Sequence, residues 1–174
     1  MPTGSDHPND HALIVMAIGL FIAVNGLAVN SKDNCSYRKV RSKEVQPDMF
    51  YYVGDRAQLI PCGTGVVDLD VYPAPDLAIE IANSSWADDI GKKRLMYEDL
   101  GVKEYWVIDV KNVEILAFAI TDSEGTKGSY RITRSQIITD LEIALLEEAL
   151  HLSRENDHGH VTSWLLIKLQ HKEN

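Results

Sequence analysis

Lys93 occupies a position where an ammonium group is costly. When Trp86 to Leu100 is wound as a helix, Ile90, Met96, Tyr97 and Leu100 share one apolar face, and Lys93 lies near its centre. Lys92 sits about 100° further round and can reach water. A charge aimed at a core must meet an opposite charge. The run Pro75-Asp-Leu-Ala-Ile-Glu-Ile81 supplies one, because it reads as a strand whose Glu80 interrupts apolar residues. An acid and a lysine forced to face each other within one βα unit suggest an active site.

A second acid is needed for most such chemistry. Asp76 lies on the same strand face as Glu80, but four residues of extended chain separate the two by about 13 Å, too far to share one ion. Asp76 is therefore a poor partner for Glu80 and is expected either to be structural or to support the site residues from behind. Asp48 is better placed: if Met49 to Val53 pairs antiparallel with Leu77 to Ala82, the start of one strand lies beside the end of the other. The following helix would carry Lys93 back over that edge. Two carboxylates offer hard oxygen ligands suited to Mg²⁺ or Mn²⁺. An ion there polarises a phosphoryl oxygen and activates water, while Lys93 orients that water or stabilises charge developing on phosphorus. Two plainer readings stand beside this one. Asp48 begins a Pro-Asp turn, or Glu80 and Lys93 form a buried structural ion pair.

The elements that would position these groups are punctuated clearly in places. Ala12 to Val29 is apolar and broken by Asn25-Gly26; with Asp6 and Asp10 before it and no cationic start, it reads as a buried core helix rather than a signal peptide or membrane span. Residues before it read as loop, with Asn9 or Asp10 as N-cap. A short edge strand is expected at Ser36 to Val40, a strand at Met49 to Val53, and mainly loop from Gly54 to Pro75 with an extended piece at Val66 to Tyr72. Around the lysine helix, Ser84 or Ser85 can cap the start, Asp88 and Asp89 suit its positive end, and Gly101 ends it. Glu104 to Val110 and Val113 to Ile120 read as a hairpin across Lys111-Asn112. Tyr130 to Thr133 reads as a further strand and Leu141 to Leu152 as a helix, whereas the apolar patch Trp164 to Leu169 has no assigned place. Tyr97, Tyr105 and Trp106 are expected to pack. Glu104 and Asp109 read as surface acids at strand ends, with Asp109 also within reach of the site. The pattern is a mixed α/β layer fold.

With 174 residues and 45% hydrophobic composition, one domain is expected, with its core at about 10–120 and a C-terminal extension at 121–174. A net charge of −9 argues against coating nucleic acid by bulk attraction. Local basic clusters remain: Lys32, Arg38, Lys39, Arg41 and Lys43, then Lys92, Lys93, Arg94 and Lys103. Cys35 and Cys62 make no metal pattern with the six histidines and read as thiols of a reducing compartment, so a cytoplasmic location is expected.

Gln46-Pro-Asp48, Ala74-Pro-Asp-Leu-Ala-Ile-Glu-Ile81, Ser84-Ser85, Asp89-Ile-Gly-Lys-Lys93, Tyr97 and Gly101-Val-Lys-Glu-Tyr-Trp-Val-Ile-Asp109 together resemble the Uma-type endonuclease family of the PD-(D/E)XK nuclease superfamily. The resemblance runs from about Met1 to Phe118. It implies a restriction-endonuclease-like αβββαβ core with a mixed central sheet. It carries the superfamily's metal-binding Asp onto Asp48, its acidic residue onto Glu80 and its lysine onto Lys93. Two departures accompany it. Ala82 stands where the usual E-x-K lysine would be, so that role falls to Lys93; and the chain starts at Met1-Pro-Thr-Gly, where family members usually have a preceding hairpin, a difference expected to remove part of the substrate groove.

The implied activity is Mg²⁺- or Mn²⁺-dependent hydrolysis of DNA phosphodiester bonds, restriction-like. A homodimer is expected because duplex cutting needs two active sites. The competing function is a non-catalytic nucleic-acid-binding or scaffold protein that keeps the nuclease fold. A third is a small-phosphate hydrolase, which unlike a nuclease would not lose affinity steeply with salt.

Overall fold

The computed structural model describes residues 6–40, 44–82, 86–123 and 126–171. The chain opens with α1 (Asp6–Val24) and lays down β1 (Val29–Asp33), β2 (Tyr37–Arg38), β3 (Met49–Val53), β4 (Val67–Asp68) and β5 (Leu77–Ala82). A helical crossover follows, made of α2 (Trp86–Asp88), a π turn (Asp89–Lys93) and α3 (Arg94–Leu100). Then come β6 (Glu104–Asp109), β7 (Glu114–Ser123), β8 (Thr126–Ile132), α4 (Ile143–Leu152) and α5 (His158–Gln170).

Six strands form one mixed sheet in the order β1-β3-β5-β6-β7-β8. Only the β5–β6 contact in it is parallel. Parallel neighbours need a long crossover, and the α2–α3 run provides it. β5 and β6 are buried throughout, which explains their nearly continuous apolar sequences. Strand alternation sorts the side chains into two layers. Met49, Tyr51, Leu77, Ile79, Ile81 and Trp106 join the core built with α1, α4 and α5. Phe50, Tyr52, Ala78, Ala82 and Tyr105 join the core under α3, with Tyr97 and Leu100. The expected αβββαβ core is therefore present as α1, β1, β3, β5, the crossover and β6.

Several boundaries differ from the expectation. α1 spans Asp6–Val24, well ahead of the expected Ala12, and Pro8 near its described start is tolerated because N–H groups of a first turn have no partner within the helix. Asp10 is thus no cap but a fully buried helical residue, held by Arg154 through contacts of 2.5 and 2.7 Å. That bidentate pair ties the first helix to the end of α4, and Arg154 also donates to the Val110 carbonyl at 3.2 Å. α1 is long and apolar enough to cross a bilayer, yet Leu13, Ile14, Ala17, Ile18 and Phe21 are buried against the sheet layer. The apolar run ends at Asn25-Gly26, where Gly26 takes φ 61°, and Val29 already belongs to β1. The piece expected at Ser36 to Val40 shrinks to β2, which pairs parallel with β4 in a separate two-stranded sheet. Trp164 to Leu169 lies in α5, which packs on α1 and buries Val161, Leu165 and Leu169.

Glu104 and Asp109 are not surface acids. Glu104 is 1% exposed and accepts hydrogen bonds from Trp106 Nε1, Ser135 Oγ and the amides of Gln136 and Ile137. It pins the chain between β8 and α4 to the sheet. Asp109 holds the hairpin turn by accepting from the Lys111 and Asn112 amides at 2.9 and 3.0 Å and from Asn112 Nδ2 at 2.7 Å.

Candidate active site

The pairing of β3 with β5 sets the site. Met49 lies opposite Ile79 in antiparallel register, so one step outward Asp48 faces Glu80. Asp48 Oδ2 accepts the Ile81 amide at 2.7 Å, which fixes its carboxylate on the rim of β5. Pleating points Asp48 and Glu80 toward the α3 layer, the side from which Lys93 approaches. Lys93 Nζ lies 3.0 Å from Glu80 Oε2. The structure therefore brings Asp48, Glu80 and Lys93 to one edge of the sheet.

Two further residues complete the cluster. Tyr97, expected only to pack, donates its hydroxyl to Glu80 Oε1 at 2.7 Å while its ring stacks on Tyr105. Asp89, expected only as a favourable charge at a helix start, is 1% exposed and reaches Lys93 Nζ at 2.7 Å. Its carbonyl accepts the Tyr105 hydroxyl at 3.0 Å. Both were legible as spacing, since Asp89, Lys93 and Tyr97 recur every fourth residue on one helical face. The turn from Asp89 to Lys93 is π-helical, a local widening often found at functional sites, and Gly91 lies at its centre.

Electrostatics follow from depth. Burial pushes the Glu80 carboxyl up to about 7, against the pull of the Lys93 ammonium and the Tyr97 hydroxyl, and the like charge of Asp48 adds a small further rise. Burial would lower Lys93, but the carboxylates of Glu80 and Asp89 outweigh it and hold the ammonium above its ordinary value. Burial likewise raises the Tyr97 hydroxyl, so it stays a donor. The Lys93 side chain keeps 37% exposure, enough to meet a substrate from the solvent side.

Asp76 stands apart at the opposite end of β5. Its Oδ1 meets Arg56 Nη1 at 2.5 Å and Lys103 Nζ at 2.8 Å, and its Oδ2 accepts the Val53 amide at 2.9 Å. These bonds tie strand ends together and leave it a structural residue. The basic clusters are largely paired as well: Lys92 with Asp88, Arg94 with Glu98, Arg38 with Asp68. Arg41, Lys43 and the cap candidates Ser84 and Ser85 lie outside the described residues.

The donor set decides what ion would fit. Among the described residues, no group of three or more His, Cys, Asp or Glu side chains could hold a metal ion alone. Asp48 and Glu80 instead offer two hard carboxylates across adjacent strands. Magnesium is commonly held by one or two carboxylates with water and substrate oxygens completing its shell, so the pair fits that ion.

A mixed sheet layered by helices, with two acids on its antiparallel β3–β5 pair and a lysine over them, is a nuclease-like α/β arrangement. The chain matches the family Uma2, described as "Putative restriction endonuclease", over residues 1–155, and it belongs to that family. Its class is thus that of the restriction-like nucleases. A solved structure from Anabaena variabilis ATCC 29413, titled a putative nuclease belonging to DUF820, has the same fold with a TM-score of 0.56 at 16% identity, covering 95% of this chain and 84% of that one. No curated protein matches the chain.

Proposed function

We propose that the protein is a metal-dependent endonuclease that hydrolyses DNA phosphodiester bonds, with Asp48, Glu80 and Lys93 as its catalytic residues. It would use Mg²⁺ or Mn²⁺ and work as a single-domain subunit of a homodimer in the cytoplasm. The observation that carries this reading is the meeting of the three side chains on one sheet edge, with Lys93 3.0 Å from Glu80. A divalent ion held by Asp48 and Glu80 would polarise a phosphoryl oxygen and make a bound water acidic. Asp48 is kept in place by the Ile81 amide and Glu80 by the Tyr97 hydroxyl, so both acids are oriented before substrate arrives. Lys93 approaches from the helical crossover and stays 37% exposed, so its ammonium can offset charge gathering on phosphorus or orient the attacking water.

The competing function, a nucleic-acid-binding or scaffold protein without catalysis, draws on the net charge of −9 and on the pairing of so many basic side chains with acids. Incubation of supercoiled plasmid with Mn²⁺ or Mg²⁺ separates the two. The nuclease reading expects nicking or linearisation by the wild type and loss of at least about a hundredfold in rate for Lys93→Met and Glu80→Ala. DNA binding without strand scission, unchanged in those variants, would leave the scaffold as the better account.

A further inference from the structure

We propose that Asp89 is a positioning residue that retains the Lys93 ammonium when a divalent cation takes up Glu80; this rests on the metal-dependent nuclease reading. Lys93 Nζ bridges two buried carboxylates on different elements, Glu80 Oε2 at 3.0 Å and Asp89 Oδ1 at 2.7 Å. One carboxylate would suffice to pair one ammonium. The second has a use once the first is shared: a cation between Asp48 and Glu80 competes for the Glu80 oxygens and repels the ammonium beside them. A half-buried ammonium with no other anion would resist that exchange. Asp89 removes the resistance, because it lies one turn from Lys93 on the same element and does not depend on Glu80.

The surrounding bonds hold this second anchor still. The Asp89 carbonyl accepts from the Tyr105 hydroxyl at 3.0 Å, the Tyr105 ring stacks on Tyr97 with centroids 4.8 Å apart, and Tyr97 donates to Glu80 at 2.7 Å. Glu80, Lys93, Asp89, Tyr105 and Tyr97 thus form a closed ring of contacts. Within it only the Lys93–Glu80 bond needs to loosen when the ion enters. Asp89 keeps the amine aimed at the same edge, where the substrate phosphate would lie.

Titration calorimetry with Mn²⁺ alone, without DNA, tests the role in wild type, Asp89→Asn, Asp89→Glu, Lys93→Met and the Asp89→Asn/Lys93→Met double variant, each checked for folding by its thermal transition. Asp89→Asn should weaken Mn²⁺ binding roughly tenfold, since the amide cannot hold the displaced ammonium as a charge-assisted partner. Asp89→Glu keeps a carboxylate and should stay within about threefold of wild type. Lys93→Met should tighten binding roughly tenfold by freeing Glu80, and adding Asp89→Asn to it should change nothing, because Asp89 acts only through the amine. If the double variant binds more weakly than Lys93→Met, Asp89 touches the ion directly and the positioning role is wrong. If wild type binds Mn²⁺ and Asp89→Asn binds it equally well, the role is again wrong while the nuclease reading stands. A wild type that binds no Mn²⁺ removes both.

Discussion

Glu80→Gln should make the metal-free protein more stable at alkaline pH, and the size of the gain follows from how deeply the acid is placed. Its carboxyl rises from 4.5 to about 7 on folding, chiefly through burial. At about 1.4 kcal/mol per pH unit, carrying the charge into the fold costs about 3 kcal/mol. The sign is that of an acid whose folded pKa is raised: the folded chain keeps its proton where the unfolded chain has lost it. The stability this supplies is fully present below 4.5 and is lost as pH rises through about 7. A glutamine resembles the protonated acid, still accepts the Tyr97 hydrogen bond and has no such loss. Urea unfolding of both proteins with chelator at pH 5, 6, 7 and 8 should show a glutamine advantage of less than about 1 kcal/mol at pH 5, growing to about 3 kcal/mol at pH 8. Saturating Mg²⁺ should then stabilise the wild type and leave the variant unmoved. A difference that does not change with pH, or a variant weaker than wild type at pH 8, would refute the reasoning about burial at this position.

Asp48 can be separated into structural and ligating parts. Asp48→Asn should keep a bond to the Ile81 amide and cost less than about 1 kcal/mol in denaturant unfolding, whereas Asp48→Ala orphans that amide and should cost about 1–2 kcal/mol; both should lose Mg²⁺ binding by calorimetry. Arg154→Met leaves the Asp10 carboxylate buried without its bidentate partner, so urea unfolding should register a loss of about 3–5 kcal/mol. The Mg²⁺ affinity of that variant should match wild type, because the pair lies in the opposite layer from the site.

Much of the site was legible in the sequence because it depends on local spacing. β3 and β5 have the residue limits expected from their apolar runs, and the hairpin of β6 and β7 turns where Lys111-Asn112 indicated. The antiparallel register that sets Asp48 against Glu80 required only that these two strands pair. Lys93 faces inward because a helical wheel places it there, and Gly101 ends the helix at φ 85° as such a position demands. What escaped depends on distant partners or weak patterns. β1 is an edge strand of Val29, Asn30, Ser31, Lys32 and Asp33, half exposed and without apolar alternation. Glu104 reads as a surface acid until Ser135, Gln136 and Ile137 return to satisfy it, and no sequence pattern announces a partner so far along the chain. Asp10 is misread as a cap for the same reason, its partner being Arg154. Asp89 and Tyr97 were masked by adequate simpler roles, a helix-start charge and a packing ring, although their four-residue spacing from Lys93 was in view.

Crystals of the wild-type protein soaked in Mn²⁺ and measured for anomalous scattering give the most direct test of the central claim, that Asp48 and Glu80 form one cation site with Lys93 beside it. A single strong peak is expected within about 2 Å of one oxygen from each acid, with Lys93 Nζ still on Asp89. No peak at that edge, or a cation seated elsewhere while Glu80 remains on Lys93, would contradict it.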